Sequence, residues 1–150
     1  MSKLSFFVPG NAQPAGSKRI GRHGDRPIVL DANPKAAGWK ERVALAAAEA
    51  KREAGIVGLF SNALELRVWC YRARPKSHLN AKGEVKPKAP KNPISKPDLT
   101  KLVRGLEDGM RGVVYGDDAL IVRQVNCKIW ADDYEKDPGV FILVTEIEQP

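Results

Sequence analysis

The segment that most constrains the fold is the nearly uninterrupted apolar run at 140–147, "VFILVTEI". A short run that is apolar on both faces predicts a central strand of a β-sheet. Apolar and polar residues alternate over 4–8, 64–71 and 121–130, which predicts three further strands. A short strand is also expected over 28–32. The chain therefore needs a sheet with at least one strand inside it.

Two helices are predicted between these strands. Asn33 and Pro34 suit a helix beginning, and Gly55 suits its end, so the first helix covers about 34–54. The second covers about 98–111, where apolar residues recur at helical spacing. The order β–β–α–β–α–β–β predicts an α/β (α+β) fold, a small mixed β-sheet carrying two main helices. A length of 150 residues predicts a single domain over 1–150.

Positive charge is concentrated in one part of the chain. Residues 72–101 contain nine Lys or Arg and two acids, an excess equal to the net charge of +7 of the whole chain. Within them, 73–97 is rich in Pro and Lys without apolar periodicity, which predicts a basic, mobile loop. A second basic loop is predicted around 18–26. Such a patch favours a polyanionic partner such as nucleic acid, although a solvated flexible loop has the same composition.

Several classes of protein are not expected. The longest apolar runs are too short to span a bilayer, and the first residues resemble a strand without a cleavage region, so neither a membrane anchor nor a signal peptide is expected. Cys70 and Cys127 form no metal-binding pattern and are expected to be free thiols in a reducing cytoplasm. A small-molecule cofactor is not expected.

Carboxylates flank the second predicted helix. Asp98 opens it after a proline, and Asp117 and Asp118 follow Gly116 in a bend after it. Taken singly, Asp98 fits a helix N-cap and the aspartate pair fits a turn. Taken together at one edge of a sheet, the three carboxylates would repel each other unless a cation lay between them. Mg²⁺ prefers such hard oxygen ligands and binds substrate phosphate as well, which suits phosphodiester hydrolysis.

The motifs "KPDLTKLVR", "LEDGM", "YGDDALIV" and "NCKIW" occur in this order, after an opening "FFVPGNAQPAGSKR". In these motifs the chain resembles the RusA family of Holliday junction resolvases, many of which are phage-encoded. The resemblance implies a homodimeric endonuclease of DNA recombination and repair that cuts four-way DNA junctions with Mg²⁺, or Mn²⁺ in its place. It also implies a location in the cytoplasm, of the host if the chain is phage-encoded.

The resemblance also implies roles for individual residues. Asp98 and Asp118 match catalytic, metal-binding aspartates, with Asp117 beside the second, and Arg104 stands where the family has a catalytic lysine. Thr100 replaces a metal-binding aspartate, and Lys101 replaces an asparagine. Three readings follow: Asp98, Asp117 and Asp118 hold the metal with help from Thr100; Glu107 or Asp108 supplies the missing carboxylate; or the protein binds junctions and cuts them poorly.

The expected DNA contacts are ten basic side chains on the predicted loops, helix and strand: Lys18, Arg19, Arg22, Arg74, Lys76, Lys96, Lys101, Arg104, Arg111 and Lys128. Of the tryptophans, Trp39 is expected in the core, and Trp69 or Trp130 at a dimer interface. The rival hypothesis is a non-catalytic or weakly catalytic basic dimer that binds branched DNA, in which the carboxylates only cap a helix and form a turn.

Overall fold

The computed structural model describes residues 2–148 and has two helices and six strands. In chain order these are β1 (Lys3–Pro9), β2 (Lys18–His23), β3 (Arg26–Asp31), α1 (Ala36–Ala54), β4 (Leu64–Arg72), α2 (Leu99–Met110), β5 (Ile121–Trp130) and β6 (Gly139–Glu146). Short 3₁₀ turns lie at Lys76–His78, Asp118–Leu120 and Ala131–Tyr134. The predicted mixed fold with two main helices is confirmed.

Four strands form the main sheet, in the order β1-β6-β4-β5. β6 is antiparallel to both of its neighbours, β1 and β4, whereas β5 is parallel to β4. A parallel pair needs a long crossover between its strands, and here the segment that contains α2 supplies it. The central position predicted for the apolar run is confirmed, and α2 is placed beside β5 at the edge of the sheet.

One face of the sheet packs against both helices. Alternate residues of the inner strands, such as Leu66, Val68 and Ile142, are at most 1% exposed and belong to one core with Trp39 and Leu106. This confirms the core position expected for Trp39. Among residues 2–148, no helix combines the length and apolar character that a membrane span requires.

The other face of the sheet is rich in aromatic residues and carries no helix. We call it the open face and define it by Phe7, Trp69, Tyr71, Val125 and Phe141. Ring centroids lie 6.4 Å apart for Phe7 and Tyr71 and 5.6 Å apart for Trp69 and Phe141. Phe7 is 37% and Val125 53% exposed. The expectation that the apolar run is buried on both faces is therefore wrong, because no helix of residues 2–148 lies over the open face and Phe141 of β6 is only partly buried there.

The prediction of a loop around 18–26 is also wrong, because these residues lie in a β-hairpin. β2 and β3 pair in antiparallel register, with His23 opposite Arg26. Gly24 adopts φ 64° in the connection, a left-handed conformation that glycine tolerates and that a two-residue hairpin turn requires. The strand was hard to recognise in the sequence because Lys18 and Arg22 stand at alternate positions where apolar residues are usual, and only Ile20 between them is apolar.

The basic segment 73–97 has fixed points of attachment. Arg74 is 5% exposed and pairs with the carboxylates of Asp132 and Asp133 at 2.9 Å. Two side chains of β5 donate hydrogen bonds to backbone carbonyls of this region: Lys128 Nζ to Ser95 and Pro97 at 2.9 Å, and Trp130 Nε1 to Pro90 at 3.1 Å. The predicted mobility stays a prediction, and these contacts define where the segment is anchored.

Close packing between the helices sets the position of α2. A Cβ atom at Gly109 would lie 2.8 Å from Val43 Cβ and 2.9 Å from the carbonyl oxygen of Lys40, both in α1. A Cβ at Gly105 would lie 2.8 Å from the carbonyl oxygen of Gln13. These distances are shorter than van der Waals contact, so only glycine lets the two helices approach this closely.

We predict that Gly109→Ala destabilises the protein by about 1–3 kcal/mol, since the added methyl group overpacks the α1–α2 contact. Gly38→Ala is the matched control, because a Cβ at Gly38 of α1 has no atom within 4 Å. It should stabilise the fold by up to about 1 kcal/mol through helix propensity alone. Urea denaturation measures both free energies of unfolding, and equal stabilities of the two variants would contradict the packing argument.

Candidate active site

The acidic bend after α2 folds back onto the helix. Arg111 Nη2 donates a hydrogen bond to Asp118 Oδ2 at 2.8 Å, and Arg104 Nη1 lies 3.7 Å from the same oxygen. Asp117 precedes a 3₁₀ turn, and its carboxylate accepts a hydrogen bond from the backbone N–H of Ala119 at 2.8 Å. The carboxylate of Asp118 is thus directed at α2, while that of Asp117 also stabilises the bend.

Asp108 adds a second carboxylate to this contact. Its Oδ1 lies 3.4 Å from Arg104 Nε and 3.7 Å from Arg111 Nη2, and its Oδ2 lies 3.3 Å from Lys40 Nζ of α1. We call Arg104, Asp108, Arg111 and Asp118 the carboxylate–arginine cluster. Its acids alternate with cations, so the repulsion expected between the carboxylates is relieved by guanidinium groups.

Asp118 is an ionised carboxylate within this cluster. Partial burial acts to raise its pKa, but the hydrogen bond and charge of Arg111, with the charge of Arg104, outweigh burial and hold the pKa below its usual value. The side chain is 22% exposed. It therefore presents a negative charge at neutral pH at a position that solvent and a ligand can reach.

A cleft of about 360 Å³ lies between α2 and β5, next to the cluster. Its lining is Leu99, Thr100, Val103, Arg104, Glu107, Gln124 and Asn126. Glu107 accepts a hydrogen bond from Gln124 Nε2 across the cleft. Burial raises the pKa of Glu107 and the charge of Asp118 adds to the increase, against the hydrogen bond from Gln124. The carboxyl group of Glu107 thus holds its proton more tightly than that of Asp118.

Asp98 lies at the beginning of α2, away from the cluster. It occupies the N-cap position, but its side chain makes no capping hydrogen bond, which contradicts the reading of Asp98 as a capping residue. Its carboxylate is 59% exposed and lies 3.9 Å from Lys101 Nζ. Arg104 follows six residues later, about 9 Å along the helix axis. Asp98 is therefore available to a ligand.

The three aspartates predicted to bind a metal do not form a metal site by themselves. Within residues 2–148, no three His, Cys, Asp or Glu side chains are placed so that they could hold one metal ion together. Asp98, Asp117 and Asp118 thus form no preassembled cage, because arginines hold Asp118, and their metal-binding role stays a prediction.

The chemistry of the donors nevertheless fits a magnesium-type ion. Asn126 lines the cleft, and its Oδ1 is buried without a hydrogen-bond partner in the described part of the chain. Thr100 and Glu107 contribute further oxygens to the same cleft. Mg²⁺ needs only one or two carboxylates and completes its shell with water and substrate phosphate. The oxygen donors beside α2 meet this requirement.

The predicted DNA contacts fall into two groups. Arg74 and Lys128 are held by the contacts that anchor segment 73–97, which gives both a structural role; their phosphate contacts stay a prediction. The other eight lie along α2, on the hairpin and on the surface of segment 73–97. Lys101, Arg104 and Arg111 are 45–50% exposed, so the helix presents cations to solvent beside the cleft.

Three residues of the site were missed from the sequence. Gln124 and Asn126 alternate with apolar residues of β5, and polar side chains on the strand face directed at a helix would have pointed to a cleft. Lys40 carries no comparable signal, because only the packing of α1 against α2 brings it to Asp108.

We predict opposite pH dependences for two isosteric variants. Because Asp118 has a lowered pKa, its ionised form stabilises the fold above its usual pKa of 3.8, and Asp118→Asn should be less stable than wild type at pH 7. That deficit should close as the pH falls through the folded-state pKa. Because Glu107 has a raised pKa, Glu107→Gln should be more stable than wild type at pH 7, with the gain lost below pH 4.5. Urea denaturation from pH 3 to 7 checks both, and differences of the same sign would contradict the pKa shifts.

Nearly the whole chain is similar in sequence to known proteins. The family model described as Endodeoxyribonuclease RusA matches residues 9–145. The chain is also 31% identical over 154 residues to "Uncharacterized protein YqaN" of Bacillus subtilis (strain 168), covering 98% of this chain and 99% of that protein. The matched region contains the whole of α2, the acidic bend and the cleft. The chain belongs to the RusA endodeoxyribonuclease family.

Proposed function

We propose that this protein is a Mg²⁺-dependent, structure-specific endonuclease that resolves four-way DNA junctions by paired phosphodiester hydrolysis, with Mn²⁺ able to replace Mg²⁺. The family implies resolvase activity and binding of branched DNA. The observation that carries the proposal for this chain is the contact of Arg104 with Asp118, at 3.7 Å. It joins the cationic face of α2 to the acidic bend, which supports the proposal that a phosphate-binding arginine and a metal-binding aspartate act side by side.

The residues have distinct parts in this mechanism. Asp118 and Asp98, with Asp117 and the hydroxyl of Thr100, would hold the metal, which supplies an activated water and offsets charge on the leaving oxygen. Arg104 and Arg111 bind the phosphates next to the scissile bond with their half-exposed guanidinium groups. Before DNA binds, Arg104 and Arg111 neutralise the carboxylate of Asp118. When DNA binds, the two arginines release Asp118 and contact DNA phosphates instead, and so orient the DNA.

Basic residues around the cleft provide the DNA path. Lys96 and Lys101 line a pocket of about 400 Å³ beside Asp98, and both belong to residues 72–101, which carry the excess positive charge of the chain. Contacts to phosphates carry no base sequence, so recognition follows the shape of the branch and weakens steeply with salt. The reaction belongs to DNA recombination and repair.

A homodimer suits paired cutting, because a two-fold axis places two sites on opposite strands. The open face supports this assembly. It carries two aromatic ring pairs, Phe7 with Tyr71 and Trp69 with Phe141, and no helix of residues 2–148 lies over it. An aromatic patch of this kind is typical of the core of a protein interface, with the ion-paired Glu65, Arg67 and Arg123 at one end of the same face. It lies on the side of the sheet opposite α2, so both sites stay accessible to DNA.

A second candidate is a protein that binds junctions and cuts them weakly. Thr100 stands where the family has a metal-binding aspartate, and Arg111 hydrogen-bonds Asp118 at 2.8 Å. Both features favour phosphate binding over metal binding. Thr100→Asp distinguishes the candidates, since it should raise the cleavage rate severalfold if the missing carboxylate limits catalysis.

We predict that Asp98→Asn and Asp118→Asn each lower the rate of junction cleavage by more than about a hundredfold, exceeding the loss that outer-shell partners of a metal cause. Both changes preserve side-chain shape, and junction binding should persist because each removes a negative charge. A labelled four-way junction with mapped nicks, assayed with Mg²⁺, with Mn²⁺ and with chelator, measures the rate.

Asp137→Asn is the matched control for these variants. Asp137 is exposed in the connection before β6, distant in the chain from α2 and the bend, and its variant should cut at the wild-type rate. Wild-type cleavage by either Asp98→Asn or Asp118→Asn would contradict the assignment of that residue, and cleavage unaffected by chelator would contradict the metal dependence.

We predict that Val125→Lys weakens the dimer by at least about tenfold, because it replaces an exposed apolar side chain of the open face by a second cation beside Arg67. Val57→Lys is the matched control: Val57 is 96% exposed in the turn after α1 and lies outside the open face. Sedimentation velocity over a concentration series gives the dissociation constants, and a dimer that tolerates Val125→Lys would exclude the open face as the interface.

A further inference from the structure

The hairpin formed by β2 and β3 exposes an apolar pair. Ile20 is 81% and Val29 70% exposed, and the two residues lie directly opposite each other across the antiparallel ribbon. Directly paired residues have their side chains on the same face. A single exposed apolar residue is ordinary on a protein surface, but here two β-branched side chains form a ridge on an element that stands apart from the main sheet.

Cations flank this ridge. Along β2, side chains alternate between faces, so Lys18 and Arg22 lie on the same face as Ile20, one on each side of it. Arg22 is exposed. The opposite face differs in character, because Ile28 and Leu30 are partly buried there, and Leu30 packs close to Gly21. The exposed face thus combines an apolar ridge with Arg22 on one side and Lys18, which lies opposite Asp31 in the register, on the other.

The base of the hairpin is joined to the candidate active site. The backbone N–H of Ala15 donates to the carbonyl oxygen of Lys101 at 2.9 Å, and a Cβ at Gly16 would lie 3.6 Å from Arg104 Cγ. Ser17 lines the same pocket as Asp98. The hairpin therefore begins directly beside α2.

We propose that the β2–β3 hairpin is a DNA wedge, in which Ile20 and Val29 insert between unstacked bases at the crossover while Lys18 and Arg22 contact the flanking phosphates. This rests on the branched-DNA partner of the proposed function and adds a specificity element to it. Apolar side chains of this kind partly unstack base steps in other DNA-binding proteins. The crossover of a junction is where opening a base step costs least, so the ridge selects branched over linear DNA.

Charge complementarity favours DNA as the occupant. The strands of the hairpin carry Lys18, Arg19, Arg22 and Arg26, and the neighbouring pocket carries Lys96 and Lys101. An anionic lipid surface would also accept a basic ribbon with an apolar ridge. Lipid binding would not explain why the base of the hairpin contacts α2. Lipid binding is therefore the competing outcome of the test.

The test uses the full chain, a chelator to prevent cleavage, and a four-way junction with 2-aminopurine at the crossover. Wild type should raise the 2-aminopurine fluorescence, because the base loses its stacking partner. The double variant Ile20→Thr, Val29→Thr should lose the increase and bind the junction about tenfold more weakly, a loss in the range expected for removing one base contact. Threonine keeps the β-branched shape, so the hairpin itself is preserved.

Two control variants accompany the test. Val57→Thr removes a 96% exposed apolar side chain elsewhere on the surface and should behave as wild type. Arg22→Gln should weaken binding to the junction and to linear duplex alike. The slope of log affinity against log salt concentration should fall by about one, the value for one lost phosphate contact. The fluorescence increase should be retained when the junction is saturated with protein. Binding of the double threonine variant to linear duplex should remain at the wild-type level.

Three outcomes would overturn the wedge. The first is a full fluorescence increase with the double threonine variant, and the second is tight junction binding by wild type without any fluorescence increase. The third is that the double threonine variant loses binding to phosphatidylserine vesicles but keeps its binding to junctions. The proposed nuclease function is judged separately. A fluorescence increase without Mg²⁺-dependent cutting supports the wedge and removes the nuclease, whereas cutting without an increase removes the wedge alone.

Discussion

The close approach of α1 to α2 determines where the functional side chains lie. Gly109 and Gly105 let α2 pack within backbone contact of its neighbours, and this fixes the rotation of the helix about its axis. Leu102 and Leu106 then enter the core, so the polar residues between them must face the acidic bend and β5. Lys40 of α1 reaches Asp108 for the same reason. Packing in the core thus sets the geometry of the surface chemistry.

That geometry gives two neighbouring carboxyl groups different proton affinities. The hydrogen bond from Arg111 helps keep the pKa of Asp118 below its usual value, whereas burial raises the pKa of Glu107. Pairs of acids whose environments separate their pKa values are a common basis for divided roles in active sites. Here the ionised partner is Asp118, which we propose as catalytic, and Glu107, whose pKa is raised, lies inside the cleft.

Much of the fold was predictable because its strands and helices have strong periodicity. The central strand, α1, α2 and β5 were placed within a few residues. The prediction that β6 is buried on both faces was wrong because an apolar strand face does not show whether a second layer covers it. The hairpin was missed because Lys18 and Arg22 occupy positions where a strand usually alternates apolar residues. The sequence predicts that the acidic bend meets the start of α2 at Asp98, and this stays a prediction. The pairing of Asp118 with Arg104 and Arg111, further along the chain, depends on side-chain placement that spacing along the chain does not encode.

The departures of this chain from the family pattern change the balance between binding and chemistry. Thr100 removes a carboxylate from the start of α2, and Lys101 adds an ammonium group 3.9 Å from the remaining Asp98. Both changes make the local field more positive, which strengthens phosphate binding and weakens the attraction for a divalent cation. Under the proposed function, such a protein would gain most from a substrate that supplies ligands of its own. DNA phosphates would compete with Asp118 for Arg104 and Arg111 and would offer oxygen ligands to a bound metal. Its catalytic site is therefore expected to form together with the bound junction, and a wedge that selects the crossover would determine where that happens.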